Sequence, residues 1–319
     1  AGHAMRPVGV HESGLVWSGE LHGEQGELKW PELPEWWNDW KAHWSAWEAD
    51  PAVQLYSNYG IAVAYGLIGI AALIQLGRIH MRVPEYGWTT QKVFHLLNCL
   101  VCALRASIFP FRQQIETQFP PFVKLLLLDA PGLLFFTTYT LLVLFWAEIY
   151  HQARSMPTGA LRPAFAGLNI AVYGVTAGLW ALSTTSTDPS MQQLGYMLSD
   201  AFLAAVSLAA AAGFLLYGGR LFLMLQRFPI ESRGRRKKLR EVGLVTAICA
   251  GCFSLRAVMV ALSAVDRQNL ELDEMGHPLL NVLFYSLVEV LPTACVLFIL
   301  RKLPPKRASG QGYTQIPQE

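Results

Sequence analysis

The sequence predicts an all-α polytopic membrane protein with seven transmembrane helices, its N-terminus luminal or outside and its C-terminus cytosolic. Three observations predict it: seven separate apolar stretches, a composition 53% hydrophobic and only 15% charged, and basic residues sorted to alternate loops. The stretches are Tyr56–Leu76, Val93–Phe111, Phe122–Trp146, Phe165–Leu182, Leu194–Leu216, Val242–Ala264 and Leu279–Leu300. Each approaches the ~20 residues a helix needs to cross the hydrocarbon core. Lipid offers the backbone no hydrogen-bond partners, so a spanning segment must satisfy its own, as a helix does. The alternating apolar pattern of a membrane barrel is absent.

Charge sorting sets the direction. Three loops on one side carry Arg78, Arg82 and Lys92, then Arg154 and Arg162, then Arg227, Arg233, Arg235, Arg236, Lys237, Lys238 and Arg240; the C-terminal tail adds Arg301, Lys302, Lys306 and Arg307. The opposite loops hold Arg112 and Lys124, none, and Arg267. Basic loops stay cytosolic. The chain therefore divides into an acidic luminal tail over 1–54, the helical domain over 55–302 and a cytosolic tail over 303–319.

The luminal tail holds seven of the ten tryptophans. Trp36, Trp40, Trp44 and Trp47 recur at the spacing of one helical face. Pro34 suits a first turn, with Glu35 favourable beside it. An amphipathic helix over about 34–49 is expected, its tryptophans anchoring it at the membrane interface. A lid or a partner-docking surface is the alternative. Residues 1–30 show little periodicity and read as loosely ordered.

Five ionisable residues fall well inside the spans: Arg105, Asp129, Asp200, Arg256 and Glu289. They lie six to ten residues from the luminal end of their stretches, or roughly 9–15 Å at ~1.5 Å per residue. Charges at one depth can pair. Chain adjacency suggests Arg105 with Asp129 and Arg256 with Glu289, leaving Asp200 without an evident partner. The plain reading is ion pairs that fix helix register. The sharper reading is a luminal-facing polar pocket for a proton, ion or small ligand, with Asp200 titrating. Pro131 and Pro292 each follow a buried carboxylate within a turn, and each frees a carbonyl there.

All five cysteines lie in the second, sixth and seventh helices, so no loop disulfide is available. Cys99–Cys102 and Cys249–Cys252 have C-x-x-C spacing. Four thiolates inside lipid would be costly, so they read as small residues at helix contacts and no metal or cofactor is expected. The phosphate-binding glycine loop and the soluble catalytic domain of many enzymes are missing, and no catalytic residue is indicated. Glu148, beside His151 and Arg154, reads as a neutralised surface turn.

The run Arg233, Arg235, Arg236, Lys237, Lys238 and Arg240 is dense enough to attract anionic lipid headgroups, at ~1 kcal/mol per basic residue near the surface, or an acidic protein partner. Direct nucleic-acid binding is not expected. Tyr313 and Ile316 form a Tyr-x-x-apolar sorting pattern in the cytosolic tail.

Four segments are similar to the plant tobamovirus multiplication protein family: Thr137 to Tyr150, Gly213 to Arg227, Phe228 to Gly243 and Phe298 to Arg307. The resemblance spans roughly residues 55–307. It implies a seven-helix protein of the vacuolar (tonoplast) membrane. It also implies a host factor that tethers tobamovirus replication proteins and associates with an Arf-like small GTPase, with no enzymatic activity. More distantly, the fold is similar to orphan lysosomal heptahelical proteins. The tryptophan-rich tail departs from the family pattern.

A non-enzymatic scaffold on a vacuolar or lysosomal membrane, alone or with further membrane subunits, is the reading that follows. A G-protein-coupled-type receptor shares the helix count. However, the third helix ends Ala147-Glu-Ile-Tyr-His-Gln-Ala-Arg154 without the usual Asp/Glu-Arg-Tyr, and the seventh lacks Asn-Pro-x-x-Tyr. A transporter of protons or small solutes would use the five buried charges, but no inverted repeat is evident.

Overall fold

The computed structural model describes residues 35–82, 89–227, 233–265 and 277–301. The described residues are helical and turn structure, with no strand among them. Among the described residues seven helices are long and apolar enough to cross a membrane: Pro51–Arg82, Thr90–Gln118, Pro121–Ala153, Leu161–Thr185, Pro189–Gln226, Leu239–Leu262 and Pro278–Leu300, numbered here as spans 1 to 7. Tyr313, Ile316 and the rest of the C-terminal tail lie outside the described residues, as do residues 1–34.

The helix Glu35–Glu48 carries the tryptophans. Division of the chain into compact units falls between Trp47 and Glu48, and this first unit is described by itself. Trp36, Trp40, Trp44 and Trp47 are exposed. Trp40 stacks on Trp44 with ring centroids 5.5 Å apart, and Trp44 meets Trp47 at 5.3 Å. The i, i+4, i+7 spacing of Trp40, Trp44 and Trp47 thus brings three rings into one stripe.

Within the bundle, spans 1, 3, 5 and 7 all open on a first-turn proline: Pro51, Pro121, Pro189 and Pro278. A helix's first N–H groups have no intrahelical partner, so proline loses nothing there and its fixed φ starts the turn. Two of these starts share a further device. Asp50 Oδ1 accepts the Ala52 N–H at 2.8 Å, and Asp188 Oδ1 accepts the Ser190 N–H at 2.9 Å. The short Asp side chain satisfies one of the orphan donors in each case. Beside the start of span 1, His277 Nδ1 lies 3.1 Å from Glu48 Oε2, joining it to the start of span 7.

The spans close into a ring. Consecutive spans pack against each other, and span 7 returns against spans 1 and 6. Span 3 is the hub: 72% of its most apolar window is buried, against 22–44% in the other six. Leucines and isoleucines such as Ile70, Ile170, Leu215 and Leu287 turn outward, as lipid permits because it is as apolar as they are.

The half of the bundle away from the start of span 1 is built on aromatic rings. Phe135, Tyr139, Phe214 and Phe253 interlock at centroid separations of 4.5–6.2 Å, with Trp146 edge-on to Phe214 at 5.6 Å. These are the offset and edge-to-face geometries that ring quadrupoles favour. A π-helical turn, Phe214–Gly218, carries Phe214 into this cluster. A Cβ at Gly218 would run into Trp146 and Thr246, so only glycine lets span 5 approach spans 3 and 6 here.

One correction concerns the basic run. It is not loop. The helix containing span 6 begins at Arg233 and runs unbroken to Val265. Lys, Arg and Leu are strong helix formers. The turns they build continue the spanning helix beyond the apolar stretch.

Candidate functional site

The buried charges converge on Glu289, whose side chain is fully buried. Span 7 presents it from a second π-helical turn, Ser286–Val290, just before Pro292. Pro292 has no N–H to donate, so the regular ladder cannot be completed there. Thr293 Oγ1 donates to the Glu289 carbonyl at 2.7 Å, and the Tyr139 hydroxyl lies 3.1 Å from Thr293 Oγ1. π turns of this kind recur where a helix must present a functional group.

Three side chains hold the carboxylate. Arg105 of span 2 donates through Nη2 to Oε1 at 2.9 Å and through Nε to Oε2 at 3.2 Å. Arg256 of span 6 donates through Nη1 to Oε1 at 3.0 Å. The Tyr65 hydroxyl of span 1 donates to Oε2 at 2.5 Å. The Arg105 contact is bidentate, the geometry in which a guanidinium and a carboxylate match best. Arg105 also lies 4.8 Å over the Tyr285 ring, and Arg256 5.9 Å over Phe284. Cation–π contact of this kind adds to the attraction.

This corrects one expected pairing. Arg256 does pair with Glu289. Arg105, however, is given to Glu289 and to the Leu128 carbonyl, which accepts Nη1 at 2.9 Å, and not to Asp129. The ring closure explains it. Span 7 packs back against span 1, bringing Glu289 to Arg105 across 184 residues of sequence. Span 3 contributes backbone instead. Gly132 lets the guanidiniums lie against it, since a Cβ there would sit 3.0 Å from Arg256 Nη2 and 3.6 Å from Arg105 Nη2.

Beside the ion cluster is a cavity of ≈ 360 Å³. Arg105 and Arg256 line it, as do Asp129, Asp200, Lys124 and Tyr196. All five charges read from the sequence are therefore at one locality: Arg105, Arg256 and Glu289 in direct ion pairs, Asp129 and Asp200 in the cavity wall. Lys124 stands in the first turn of span 3 and Val260 near the end of span 6. The cavity thus belongs to the half of the bundle where span 1 starts. Tyr65 and Lys124 were not distinguished by sequence. Tyr65 looks like one more aromatic in an apolar run, and Lys124 like a loop charge.

The chain matches the THH1/TOM1/TOM3 domain over residues 35–316. It belongs to that family. It is 52% identical over 302 residues to tobamovirus multiplication protein 1 of Arabidopsis thaliana, covering 94% of this chain and 98% of the relative. It is 54% identical to tobamovirus multiplication protein 3 of the same plant, covering 86% and 88%, and 56% identical to tobamovirus multiplication protein 1 of Nicotiana tabacum, covering 79% and 86%. No solved structure matches. The family match begins at residue 35, so it takes in the tryptophan helix, which sequence reading had set apart as a departure from the family pattern.

The other candidate residues lie elsewhere. Arg240 is exposed on the span 6 helix, whose first turns carry Arg233, Arg235, Arg236, Lys237 and Lys238 in their backbone. They are at the end of the helix opposite Arg256, and so on the far side of the bundle from the cavity. Glu148 accepts Arg162 Nε at 2.8 Å, a contact between spans 3 and 4 and not with His151 or Arg154. The five cysteines are free thiols. Among the described residues no group of three or more His, Cys, Asp or Glu is placed to hold a metal ion.

Proposed function

We propose that this protein is a non-enzymatic scaffold of a vacuolar or lysosomal membrane that recruits cytosolic partners through the basic start of the span 6 helix. The supporting observation is that helix. From Arg233 it carries Arg233, Arg235, Arg236, Lys237, Lys238 and Arg240 on one continuous backbone, at the opposite end of the bundle from the cavity. Rigid presentation on a helix lowers the ordering cost of binding compared with a free loop. The basic charge puts this side in the cytosol by the positive-inside rule, with the cavity facing the lumen. The tryptophan stripe then rests at the luminal interface, where indole rings settle.

The partners are an Arf-like small GTPase and anionic headgroups. In a plant host infected by a tobamovirus they include the viral replication proteins, as the family resemblance implies. Tyr313 and Ile316 supply the signal for delivery to the vacuole. The test is capture of a purified Arf-like GTPase, loaded with GTP or GDP, by the full-length protein in nanodiscs of neutral lipid. Nucleotide-dependent capture that falls at least tenfold when Arg235, Arg236, Lys237 and Lys238 are replaced by Gln is the expected result. Equal capture by the neutralised protein would overturn the proposal.

A further inference from the structure

At the end of the bundle that carries the basic run there is a second, smaller cavity, of ≈ 240 Å³. Its lining fixes its position. Thr90 is the first residue of span 2, Glu241 stands in the first turn of span 6, and Leu300 is the last residue of span 7. Leu142 and Phe145 of span 3, Phe94 of span 2 and Ile299 of span 7 complete an apolar wall. Phe94 and Leu142 are only 3% and 4% exposed, so this crevice is inside the ring of spans and not on its lipid-facing perimeter. Outward-facing leucines are at home in lipid. An apolar crevice at the cytosolic mouth meets water instead, and apolar surface in water gains free energy by being covered.

Size and charge narrow what covers it. Small-molecule pockets run to ≈ 300–1,000 Å³, above this volume, whereas an apolar cavity of ~150 Å³ already admits a benzene ring. The crevice therefore suits one large apolar side chain. A lipid tail would have to pass between packed spans to reach it. Glu241 is already engaged within the protein. Arg240 beside it is exposed, and so is Arg301 beside Leu300. Behind Arg240 the same helical backbone carries Lys238, Lys237, Arg236, Arg235 and Arg233. Positive charge around an apolar hole is complemented by acidic residues around an apolar anchor. We infer that the crevice receives one large apolar side chain from an acidic segment of a cytosolic protein. This rests on the cytosolic orientation proposed above for this end of the bundle, and not on the identity of the GTPase.

The experiment pans a display library of short random peptides against the full-length protein in nanodiscs of neutral lipid, with empty nanodiscs removing lipid binders. Recovered peptides will carry a large apolar residue flanked by Asp or Glu, and will bind saturably when synthesised and followed by fluorescence anisotropy. Ile299→Trp, which fills the crevice, will weaken that binding at least tenfold. Phe298→Trp, at an exposed neighbouring position, will leave it unchanged. Exchanging the peptide's apolar anchor for Ser will also cost at least tenfold, and Arg240→Glu combined with Arg301→Glu at least threefold. Should Ile299→Trp fail to fold, Thr90→Trp at the edge of the same crevice takes its place. Recovery of no such peptide, binding that survives the filled crevice, or binding indifferent to charge reversal would overturn the inference. So would binding that appears only after residues 303–319 are deleted, which would give the crevice to the chain's own tail. An anionic phospholipid retained by the parent and lost from Ile299→Trp in native mass spectrometry would give it to lipid, with the same consequence. Failure of the recruitment reading shows separately, as GTPase capture indifferent to the basic run, because the peptides are selected without the GTPase.

Discussion

The two ends of this bundle are held together by different physics. At the end where span 1 starts, Glu289, Arg105, Arg256 and Tyr65 tie spans 7, 2, 6 and 1 by charge-assisted hydrogen bonds beside a cavity. Toward the other end, Phe135, Tyr139, Phe214, Phe253 and Trp146 tie spans 3, 5 and 6 by ring packing with no ion pair among them. The aromatic end tolerates loss gradually, one ring's contacts at a time. The charged end is coupled, because removing one member leaves the others buried and uncompensated.

The largest effects come from breaking each end at its centre. Glu289→Ala will cost about 3–5 kcal/mol, because it strands two guanidiniums. Phe214→Ala will cost a similar ~3–5 kcal/mol through the cavity it leaves. Rescue separates them. Combining Glu289→Leu with Arg105→Met and Arg256→Met will restore most of the stability in detergent unfolding, since a buried ion cluster exchanged whole for apolar side chains is often neutral or better. No partner change of that kind will repair Phe214→Ala. If the triple variant is no more stable than Glu289→Ala, the account of the charged end is wrong.

A smaller effect sharpens the picture of Glu289 itself. Tyr65→Phe removes a hydrogen bond to a charged acceptor, worth about 1.5–3 kcal/mol, without changing any formal charge. Chemical unfolding should show a loss in that range. A loss near zero would mean that the two arginines alone satisfy the carboxylate.

The smallest lies outside the membrane. At Asp188, the Ser190 hydroxyl and backbone N–H both donate to the carboxylate, the hydroxyl more strongly, and hold its carboxyl below the usual range. A depressed carboxyl contributes stability that is fully present above the unfolded value of about 3.9 and is lost as pH falls through the folded one. Asp188→Ala will therefore lower the unfolding temperature slightly at pH 7, and the gap to the parent will close on acidification. A gap that widens in acid would reverse the sign assigned here.

Much of this was legible in the sequence, and the limit has a physical cause. Apolar length alone located all seven spans, because lipid enforces it. Depth alone gathered Arg105, Asp129, Asp200, Arg256 and Glu289. Pairing was less accessible. Adjacency in the chain suggested Asp129 for Arg105, but a closed ring makes span 7 a neighbour of spans 1 and 2, which no local pattern records. Tyr65 was invisible for the same reason, since its role depends on a carboxylate 224 residues away. The helical state of the Arg233–Arg240 run was obscured by its charge, which reads as loop although Lys and Arg favour helix.

The two π turns have a consequence for chain length. A π turn is wider than an α turn, so each holds a residue that a plain helix of the same reach would not need. Spans 5 and 7 are thus places where this architecture can shed one residue and still point both ends of the helix as before. In span 7 the surplus lies within Ser286–Val290, around Glu289. Shortening it would leave a straighter helix that no longer leans its carboxylate between two arginines.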